Sequence, residues 1–252
     1  MEEQAIQEYY RTTNNIKLPA LPCFRHYRFV DMAGKFNRMV SLSSVKELLN
    51  KLKYTPKAIY YSNGCFLNAQ SLASVERRAG FKSYIIKSPL MLDLDLPDLS
   101  YVKLVGEDAE ELIQFFEKEY NMKLEDCFYS GRGFHITFKD DLPLKEWYDG
   151  GFDVEAKIKD ERMRQLNTIP ERLRTFVEKF EVLANPRLVR RLVGSINLRT
   201  GYVCSVIERE ALGTSSFLNT IPHIGEEMAL IPQKERKMRG VSPVVIKNVQ
   251  GC

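Results

Sequence analysis

Several features of exported, membrane-spanning and zinc-stabilised proteins are missing from this sequence. No apolar run reaches the roughly 18 residues of a membrane-crossing helix, and the opening stretch MEEQAIQEYY is too acidic and polar for a signal peptide. The five cysteines are scattered without a C-x-x-C pair, so nothing in the sequence supports a structural zinc site. Their odd number favours a reducing compartment. We therefore expect a protein of the cytoplasm, or of the nucleus in a eukaryote, that is not secreted and does not enter a membrane.

Internal repeats and low-complexity linkers are also missing. The length of 252 residues suffices for one large domain or two small ones, and 44% hydrophobic with 28% charged residues is ordinary for a globular protein. The net charge of +4 is compatible with a nucleic-acid partner without indicating one. Because periodic patterns fade after Glu210, we expect one domain over residues 1–210, followed by an extension over residues 211–252.

Residues 90–98, with the sequence LMLDLDLPD, place two aspartates inside an apolar run. In a β-strand, Asp93 and Asp95 would lie on one face and the intervening leucines on the other. Adjacent carboxylates repel each other unless a positive charge lies between them, and Mg²⁺ or Mn²⁺ is the usual cation for oxygen ligands. An exposed strand with an acidic face is the alternative, although aspartate is disfavoured inside strands. The pattern predicts a metal site.

Residues 126–139, with the sequence DCFYSGRGFHITFK, indicate a strand, a glycine turn and a second strand. We expect the strands at residues 127–129 and 134–138, because the two glycines permit a tight turn between them. Three polar residues surround the turn: Ser130, Arg132 and His135. A hydroxyl, a guanidinium and exposed N–H groups in one turn form a binding site for anions. Taken singly, the histidine would be interpreted as a buried core residue and the arginine as a solvated surface charge.

Other segments predict the surrounding elements. Helices are expected at residues 2–11, 45–52, 107–120, 156–167, 170–180 and 186–193. Strands are expected at residues 24–31, 36–42, 57–61, 83–95, 180–184 and 202–207, the first two forming a hairpin. Asn185 and Pro186 form a strong helix start, with asparagine as the N-cap and proline in the first turn. That helix would present Arg191 just before a turn at residues 195–201.

The order of these motifs resembles the archaeo-eukaryotic primase superfamily, most closely the small catalytic subunit of DNA primase. The resemblance rests on the D-x-D strand, the helix after it, the S-G-R-G-F-H turn and the segment RLVRRLVGSINLRTG, and it extends from about Arg25 to about Glu210. It implies an α/β (α+β) catalytic core, in which helices flank an RRM-like mixed sheet. The zinc-binding insertion of the family is absent from this sequence.

The resemblance also implies roles for individual residues. Asp93 and Asp95 correspond to the metal-binding, catalytic aspartates of the family. The residues implied to bind the nucleotide are Ser130, Arg132, His135, Arg191, Ser195, Asn197 and Arg199. Asn197 replaces the usual histidine, Arg199 replaces the usual lysine, and the glycine turn is one residue shorter than in the family.

A third metal-binding acid is implied on a strand just before the last motif. Glu181, on the predicted strand at residues 180–184, is the first candidate for this catalytic, metal-binding position. Glu178 is the alternative.

The implied activity is template-directed nucleotidyl transfer with two Mg²⁺ or Mn²⁺ ions, which would make primers for DNA replication. The implied partners are a single-stranded DNA template, ribo- or deoxyribonucleoside triphosphates and, in some members, a large primase subunit. Two alternatives remain open: a gap-filling polymerase of the end-joining type, and an inactive primase-like subunit that only binds nucleic acid.

Overall fold

The computed structural model describes residues 3–13, 16–31, 33–35, 40–41, 57–67, 69, 84–139 and 142–224. The helix predicted at residues 45–52 lies outside these ranges, as do most of the strand predicted at residues 36–42 and residues 225–252 of the predicted extension. The helices in the described ranges are α1 (Glu3–Thr12), α2 (Val102–Tyr120), α3 (Leu144–Asp149), α4 (Val154–Asn167) and α5 (Phe180–Leu183). None of them is long and apolar enough to cross a membrane.

The strands form two four-stranded sheets and a short ribbon. The first sheet has the order β2–β1–β3–β9, with β1 at His26–Val30, β2 at Val40–Ser41, β3 at Ala58–Ser62 and β9 at Val189–Arg191. The second has the order β10–β7–β8–β6, with β6 at Met91–Asp95, β7 at Leu124–Tyr129, β8 at Gly133–Phe138 and β10 at Ser205–Val206. The ribbon pairs β4 (Cys65–Phe66) with β5 (Ile85–Lys87). Every pairing between these described strands is antiparallel.

The larger core lies between the second sheet and α2. Leu92 and Leu94 of β6 are fully buried, as are Ile113 and Phe116 of α2, because alternation in the strand and helical spacing direct these side chains to one interior. The helix begins five residues before its predicted start. Asp98 accepts a hydrogen bond from the Ser100 N–H (2.8 Å) and caps a 3-10 turn that leads into the helix.

A second core lies on the outer face of the first sheet. There Ile6, Tyr9 and Tyr10 of α1 pack against aromatic and aliphatic side chains of β1 and β3 and of the residue that follows β9. Those strand residues are Tyr27, Phe29, Ile59, Tyr61 and the adjoining Leu192. Successive side chains of a strand point to opposite faces, so the side chains that alternate with these residues point to the side of the sheet away from α1.

The main core continues past Glu210. Leu212, Phe217 and Ile221 are buried in it, and the Phe217 ring contacts the rings of Tyr129 and Phe134 at centroid distances of 5.4 and 5.9 Å. Residues 211–221 therefore belong to the core that α2 and the second sheet form.

The strand predicted at residues 180–184 is wrong, because this segment is helix α5. The prediction took Phe180 and Val182 as one buried face, but Val182 is exposed, whereas Leu183 and Ala184 are buried. A spacing of three and four residues from Phe180 is helical, and the Ala184 N–H donates to the Phe180 carbonyl at 2.8 Å.

The helix predicted at residues 186–193 is also wrong. The Asn185 side chain accepts a hydrogen bond from the Arg187 N–H (2.9 Å), and this local turn takes the place of a helix cap. The chain then continues as β9, which pairs with the edge of β3, so that Arg191 lies opposite Tyr60. Pairing with a distant strand overrides the local helix signal.

The helix predicted at residues 170–180 is reduced to a 3-10 turn at Glu171–Leu173. The following residues lie beside β6: the Asp95 N–H donates to the Phe176 carbonyl (2.9 Å), and the Glu178 N–H donates to the Asp93 carbonyl (2.8 Å). These two hydrogen bonds bring Glu178 next to the aspartate pair.

Acid is expected to destabilise the fold through His26. Burial, together with the charges of Arg187 and Arg28, lowers the pKa of His26 from 6.5 to about 4. Between these values the unfolded chain binds more protons than the folded chain, so stability falls as the pH falls. We expect a loss of about 2–3 kcal/mol between pH 7.5 and 4.5, measured by urea unfolding. The variant His26→Phe should show a correspondingly smaller loss; an unchanged pH slope would contradict the role of His26.

Candidate active site

A cavity of about 350 Å³ opens where residues from both sheets meet. Its volume lies in the range of small-molecule sites. Residues from the second sheet and its glycine turn line it: Asp93, Asp95, Ser130, Arg132 and His135. Residues from the first sheet and the loop after it complete the lining: Tyr60, Val189, Arg190, Arg191, Asn197, Leu198 and Arg199. The cavity therefore collects eight of the ten predicted site residues.

The predicted aspartate pair is formed by β6. Asp93 and Asp95 are half-buried at the cavity, while Leu92 and Leu94 are buried on the opposite face. In the antiparallel pairing with β8, Asp93 lies directly opposite His135, and the His135 Nε2 is 3.3 Å from Asp93 Oδ1. The two aspartates thus share one strand face, as the alternation predicted.

Arg132 is the partner of the second aspartate. Its Nη2 donates a hydrogen bond to Asp95 Oδ2 at 2.6 Å, and both side chains are about one-quarter exposed. Each carboxylate therefore has its own positively charged or hydrogen-bonding neighbour, Arg132 for Asp95 and His135 for Asp93. Such charge-assisted pairs hold the carboxylates in fixed orientations.

Burial and neighbouring charges move the pKa values of the two aspartates in opposite directions. Burial alone would raise the pKa of Asp93, but His135 and, to a smaller extent, Arg132 outweigh it and lower that pKa below its ordinary value. Burial raises the pKa of Asp95, and the negative charge of Asp93 and that of Glu178 raise it further despite the hydrogen bond from Arg132. Burial and the two neighbouring carboxylates thus disfavour the charged form of Asp95, which a cation bound beside it would favour.

The glycine turn fits closely between β6 and the loop at residues 195–201. Gly131 has φ +88°, a conformation that favours glycine. The turn is closed by a hydrogen bond from the Ser130 N–H to the Gly133 carbonyl (2.8 Å). A Cβ atom on Gly133 would lie 1.9 Å from the Leu94 carbonyl oxygen, so only glycine allows this approach of the two strands.

The loop at residues 195–201 braces the same turn. The Thr200 hydroxyl donates to the Gly131 carbonyl (2.6 Å), and the Asn197 side-chain amide donates to the Ser130 carbonyl (3.2 Å). Asn197 also accepts a hydrogen bond from the Arg199 N–H (3.1 Å). These contacts explain how Asn197 and Arg199 come to line the cavity beside Arg132.

Arg191 reaches the cavity from β9. Its Nη1 donates to the Ile196 carbonyl (2.6 Å), and its Nη2 donates to the Tyr60 hydroxyl (2.7 Å), with the guanidinium 4.8 Å from the centre of the Tyr60 ring. Both contacts fix the orientation of the guanidinium. Arg191 therefore lines the cavity with the other predicted residues, although it lies in a strand and not in the predicted helix.

Four cavity residues were not predicted: Tyr60, Val189, Arg190 and Leu198. Arg190 is buried between the rings of Tyr61 and Phe128, at 4.8 and 4.9 Å, and its guanidinium donates to the Thr137 hydroxyl. The alternation of β3 could have indicated that Tyr60 faces away from Ile59 and Tyr61. No local pattern indicates that this strand meets β9.

Ser195 does not line the cavity, so its position does not support the predicted nucleotide contact. It is fully buried, and its hydroxyl accepts a hydrogen bond from the Ile59 N–H (2.8 Å) and lies 3.4 Å from the Tyr10 hydroxyl. The residue joins β3, α1 and the start of the loop at residues 195–201.

Replacing this serine is therefore expected to affect stability and not ligand binding. Ser195→Ala leaves the Ile59 N–H buried without its acceptor, which costs about 1–3 kcal/mol of unfolding free energy in urea titrations. Ser205→Ala is the matched control, because the Ser205 hydroxyl only donates to the Val203 carbonyl and is half-buried. Unchanged stability together with weakened nucleotide binding in Ser195→Ala would contradict this assignment.

Glu181 also lies away from the cavity. It is exposed in the first turn of α5, and the strand that was the reason for choosing it does not exist. Glu178 is half-buried beside β6, and its charge contributes to the raised pKa of Asp95. Of the two acids, Glu178 is the one that the structure brings to the aspartate pair.

The donor set suits a hard divalent cation. Within the ranges that the structure describes, no group of three or more His, Cys, Asp or Glu side chains has the geometry of a complete metal site. Asp93 and Asp95 nevertheless present carboxylate oxygens side by side, the ligand type that Mg²⁺ and Mn²⁺ prefer. The residues present therefore fit a cation held by oxygen.

Comparison with known proteins gives a likeness of fold but none of sequence. No protein-family description and no curated protein sequence matches the chain. Among solved structures, the chain is similar to the polymerase domain of Ligase D from Mycobacterium tuberculosis in complex with DNA, with a TM-score of 0.57 and 12% sequence identity. The likeness covers 82% of this chain and 81% of that one. The predicted closeness to the small primase subunit stays a prediction, whereas the predicted fold class is confirmed: the chain has the mixed α+β fold of that polymerase domain.

Proposed function

We propose that the chain is a template-directed polymerase of the primase-polymerase type, which transfers nucleotides from nucleoside triphosphates to a 3′-hydroxyl. The observation that carries the proposal is the composition of the cavity. Two carboxylates, Asp93 and Asp95, stand beside the side chains of three arginines. The three are Arg132, Arg191 and Arg199, whereas the guanidinium of a fourth lining residue, Arg190, is buried between the rings of Tyr61 and Phe128.

This combination of charges matches a triphosphate with a divalent cation. A triphosphate alone would be attracted by the arginines and repelled by the aspartates, whereas a cation alone would experience the reverse. Both ligands together satisfy both sets of charges, and in a partly buried cavity such interactions are much stronger than in water. Guanidinium groups also match the geometry of phosphate oxygens.

Asp93 and Asp95 would hold the metal, and Glu178 is the additional acid nearest to them. Mg²⁺ or Mn²⁺, as a pair of ions, would lower the pKa of the attacking hydroxyl and stabilise charge on the phosphate oxygens. His135 contacts Asp93 in the structure, so we assign it to orienting that carboxylate, in addition to the phosphate contact that the resemblance implies.

The protein's own cationic groups would bind the phosphates. Arg132 and Arg191 reach the cavity from opposite sheets, and Arg199 adds a third guanidinium from the loop. Ser130 and Asn197 line the same region and hold the glycine turn in place. These residues neutralise the charge that develops on the leaving group, which is the main contribution of a protein to phosphoryl-type transfer.

Removing one cavity arginine is expected to weaken nucleotide binding more than DNA binding. Arg132→Ala or Arg191→Ala each removes a charge-assisted contact of about 1.5–3 kcal/mol, so the nucleotide Kd should rise by roughly 10- to 100-fold. Arg164→Ala is the control, because Arg164 is exposed on α4 and pairs with Glu161. The readout is titration of a labelled nucleoside triphosphate. Equal nucleotide affinity in parent and variants would exclude the phosphate role.

One assay tests the proposal and separates its forms. Labelled nucleotides are added with Mg²⁺ or Mn²⁺ to a single-stranded DNA template, with and without an annealed primer. Product without primer indicates a primase, which is the form that the resemblance favours. Product only with primer indicates a gap-filling polymerase, the form suggested by the ligase-associated domain of similar fold. No product under any condition, with DNA binding retained, would leave an inactive binding subunit and contradict the proposed function.

A further inference from the structure

A row of three side chains crosses the face of the first sheet that is opposite to α1. Arg28 on β1 pairs with Tyr60 on β3, and Tyr60 pairs with Arg191 on β9. Residues directly opposite each other in antiparallel strands point to the same side of the sheet. With neighbouring strands about 4.8 Å apart, the three side chains form a continuous row roughly 10 Å long.

The burial pattern leaves this row as the partly exposed part of its face, whereas His26, Val30, Ala58 and Ser62 beside it are buried. Arg28 and Tyr60 are the half-buried residues at the centres of two otherwise buried strands. Their chain neighbours point into the core beneath α1, which leaves the row on the other face. Tyr60 and Arg191 line the active-site cavity, and Arg28 lies one strand beyond it. The row therefore leads out of the cavity across the sheet.

The chemistry of the row is positive and aromatic. Two guanidinium groups flank a phenol ring, and the neighbouring positions on this face carry no acid: they are His26, Val30, Ala58, Ser62 and Val189. The Arg191 contacts at the Tyr60 hydroxyl and ring hold the aromatic side chain in one orientation. A fixed aromatic ring between positive charges is the arrangement that binds single-stranded nucleic acid without regard to sequence.

We propose that Arg28 and Tyr60 bind the single-stranded template where it leaves the active site. Tyr60 stacks on a base, and Arg28 pairs with a backbone phosphate, while Arg191 marks the junction with the nucleotide site. The identification of the strand as a template rests on the proposed function. The binding of single-stranded DNA by these two residues does not.

Binding of a labelled single-stranded oligonucleotide of mixed sequence, measured by fluorescence anisotropy without metal or nucleotide, tests the row. Arg28→Gln should raise the DNA Kd by about tenfold and reduce the slope of log K against log salt by about 0.7. Tyr60→Leu should raise the Kd by roughly 5- to 100-fold, whereas Tyr60→Phe, which keeps the ring, should change it less than about threefold. Arg28→Lys keeps the charge and should keep most of the salt slope.

Arg11→Gln is the matched control. Arg11 is exposed on α1, which covers the opposite face of the same sheet, so removing its charge should leave the DNA Kd unchanged. Thermal melting of each variant checks that the fold is kept. Absence of DNA binding by the parent chain, an equal loss in Arg11→Gln and Arg28→Gln, or parental affinity in folded Arg28→Gln would each overturn the proposal.

The same variants separate this proposal from the proposed function. Arg28→Gln should keep the parental Kd for a nucleoside triphosphate. If the parent chain extends primers but folded Arg28→Gln binds DNA as the parent does, the proposed DNA binding by the row is contradicted and the proposed polymerase function is supported. If the parent chain incorporates no nucleotide but Arg28→Gln and Tyr60→Leu lose DNA affinity, the proposed polymerase function is contradicted and the proposed DNA binding by the row is supported.

Discussion

Asp93→Asn and Asp95→Asn are each expected to lower nucleotide incorporation by at least a hundredfold, while the folded structure is kept. A metal ion contributes several kcal/mol to the stabilisation of developing charge, and each 1.36 kcal/mol corresponds to a factor of ten in rate. Asparagine keeps the shape of aspartate but removes the charge that holds the cation. Replacing Asp95 removes both its repulsion by Asp93 and its ion pair with Arg132, so the two effects on stability oppose each other.

The readout is single-turnover incorporation, with thermal melting to confirm that both variants are folded. Two further substitutions serve as a matched pair. Glu178→Gln should lower incorporation, because Glu178 lies beside the aspartates, whereas Glu181→Gln should behave as the parent, because Glu181 is exposed on α5. Near-normal activity in either aspartate variant would exclude the metal assignment. Full activity in Glu178→Gln with a loss in Glu181→Gln would restore the sequence-based choice.

Gly133→Ala is expected to destabilise the fold by about 3 kcal/mol or more and to abolish activity. The new Cβ atom would lie 1.9 Å from the Leu94 carbonyl oxygen and 3.1 Å from the Asp95 Cα. Both obstacles are backbone atoms, so no side-chain rotation can relieve the clash, and β6 and β8 must separate where Asp95 pairs with Gly133. Urea unfolding measures the loss of stability.

Gly151→Ala is the control for this substitution. Gly151 has φ +70°, but no atom lies within 4 Å of its added Cβ, so only the cost of a left-handed conformation, about 1–2 kcal/mol, is expected. If Gly133→Ala were no more destabilising than Gly151→Ala and kept its activity, the close approach of β6 and β8 at this point would be contradicted.

The parts of the site that depend on local patterns could be predicted from the sequence. The alternation of leucine and aspartate in β6 is sufficient to put Asp93 and Asp95 on one face, because the side-chain period of a strand is two residues. Gly131 and Gly133, where the chain passes from β7 to β8, likewise indicate a turn, and the structure places Arg132 and His135 beside the two aspartates. In these segments local propensity and tertiary structure agree.

The parts that depend on distant pairing could not be predicted. The segment of β9 follows a sequence typical of a helix N-terminus, yet it forms a strand because its backbone hydrogen-bonds to β3. Glu178 is brought to Asp93 by a backbone hydrogen bond between segments that have no common motif. Ser195 resembles a ligand-binding serine of the last motif, but the buried N–H of Ile59 uses its hydroxyl. In each case the deciding partner is remote in sequence.

The pairing of β9 with β3 also has a consequence for folding of the chain during its synthesis on the ribosome. The hydrogen bond between Tyr60 and Arg191 spans 131 residues, and that between Ile59 and Ser195 spans 136. At roughly 5–20 residues per second, β3 therefore waits on the order of 10 s for the strand that completes its sheet. Until then one edge of β3 has unpaired backbone groups that can associate with another nascent chain. Slowing translation between these two strands would lengthen that wait and lower the yield of folded protein.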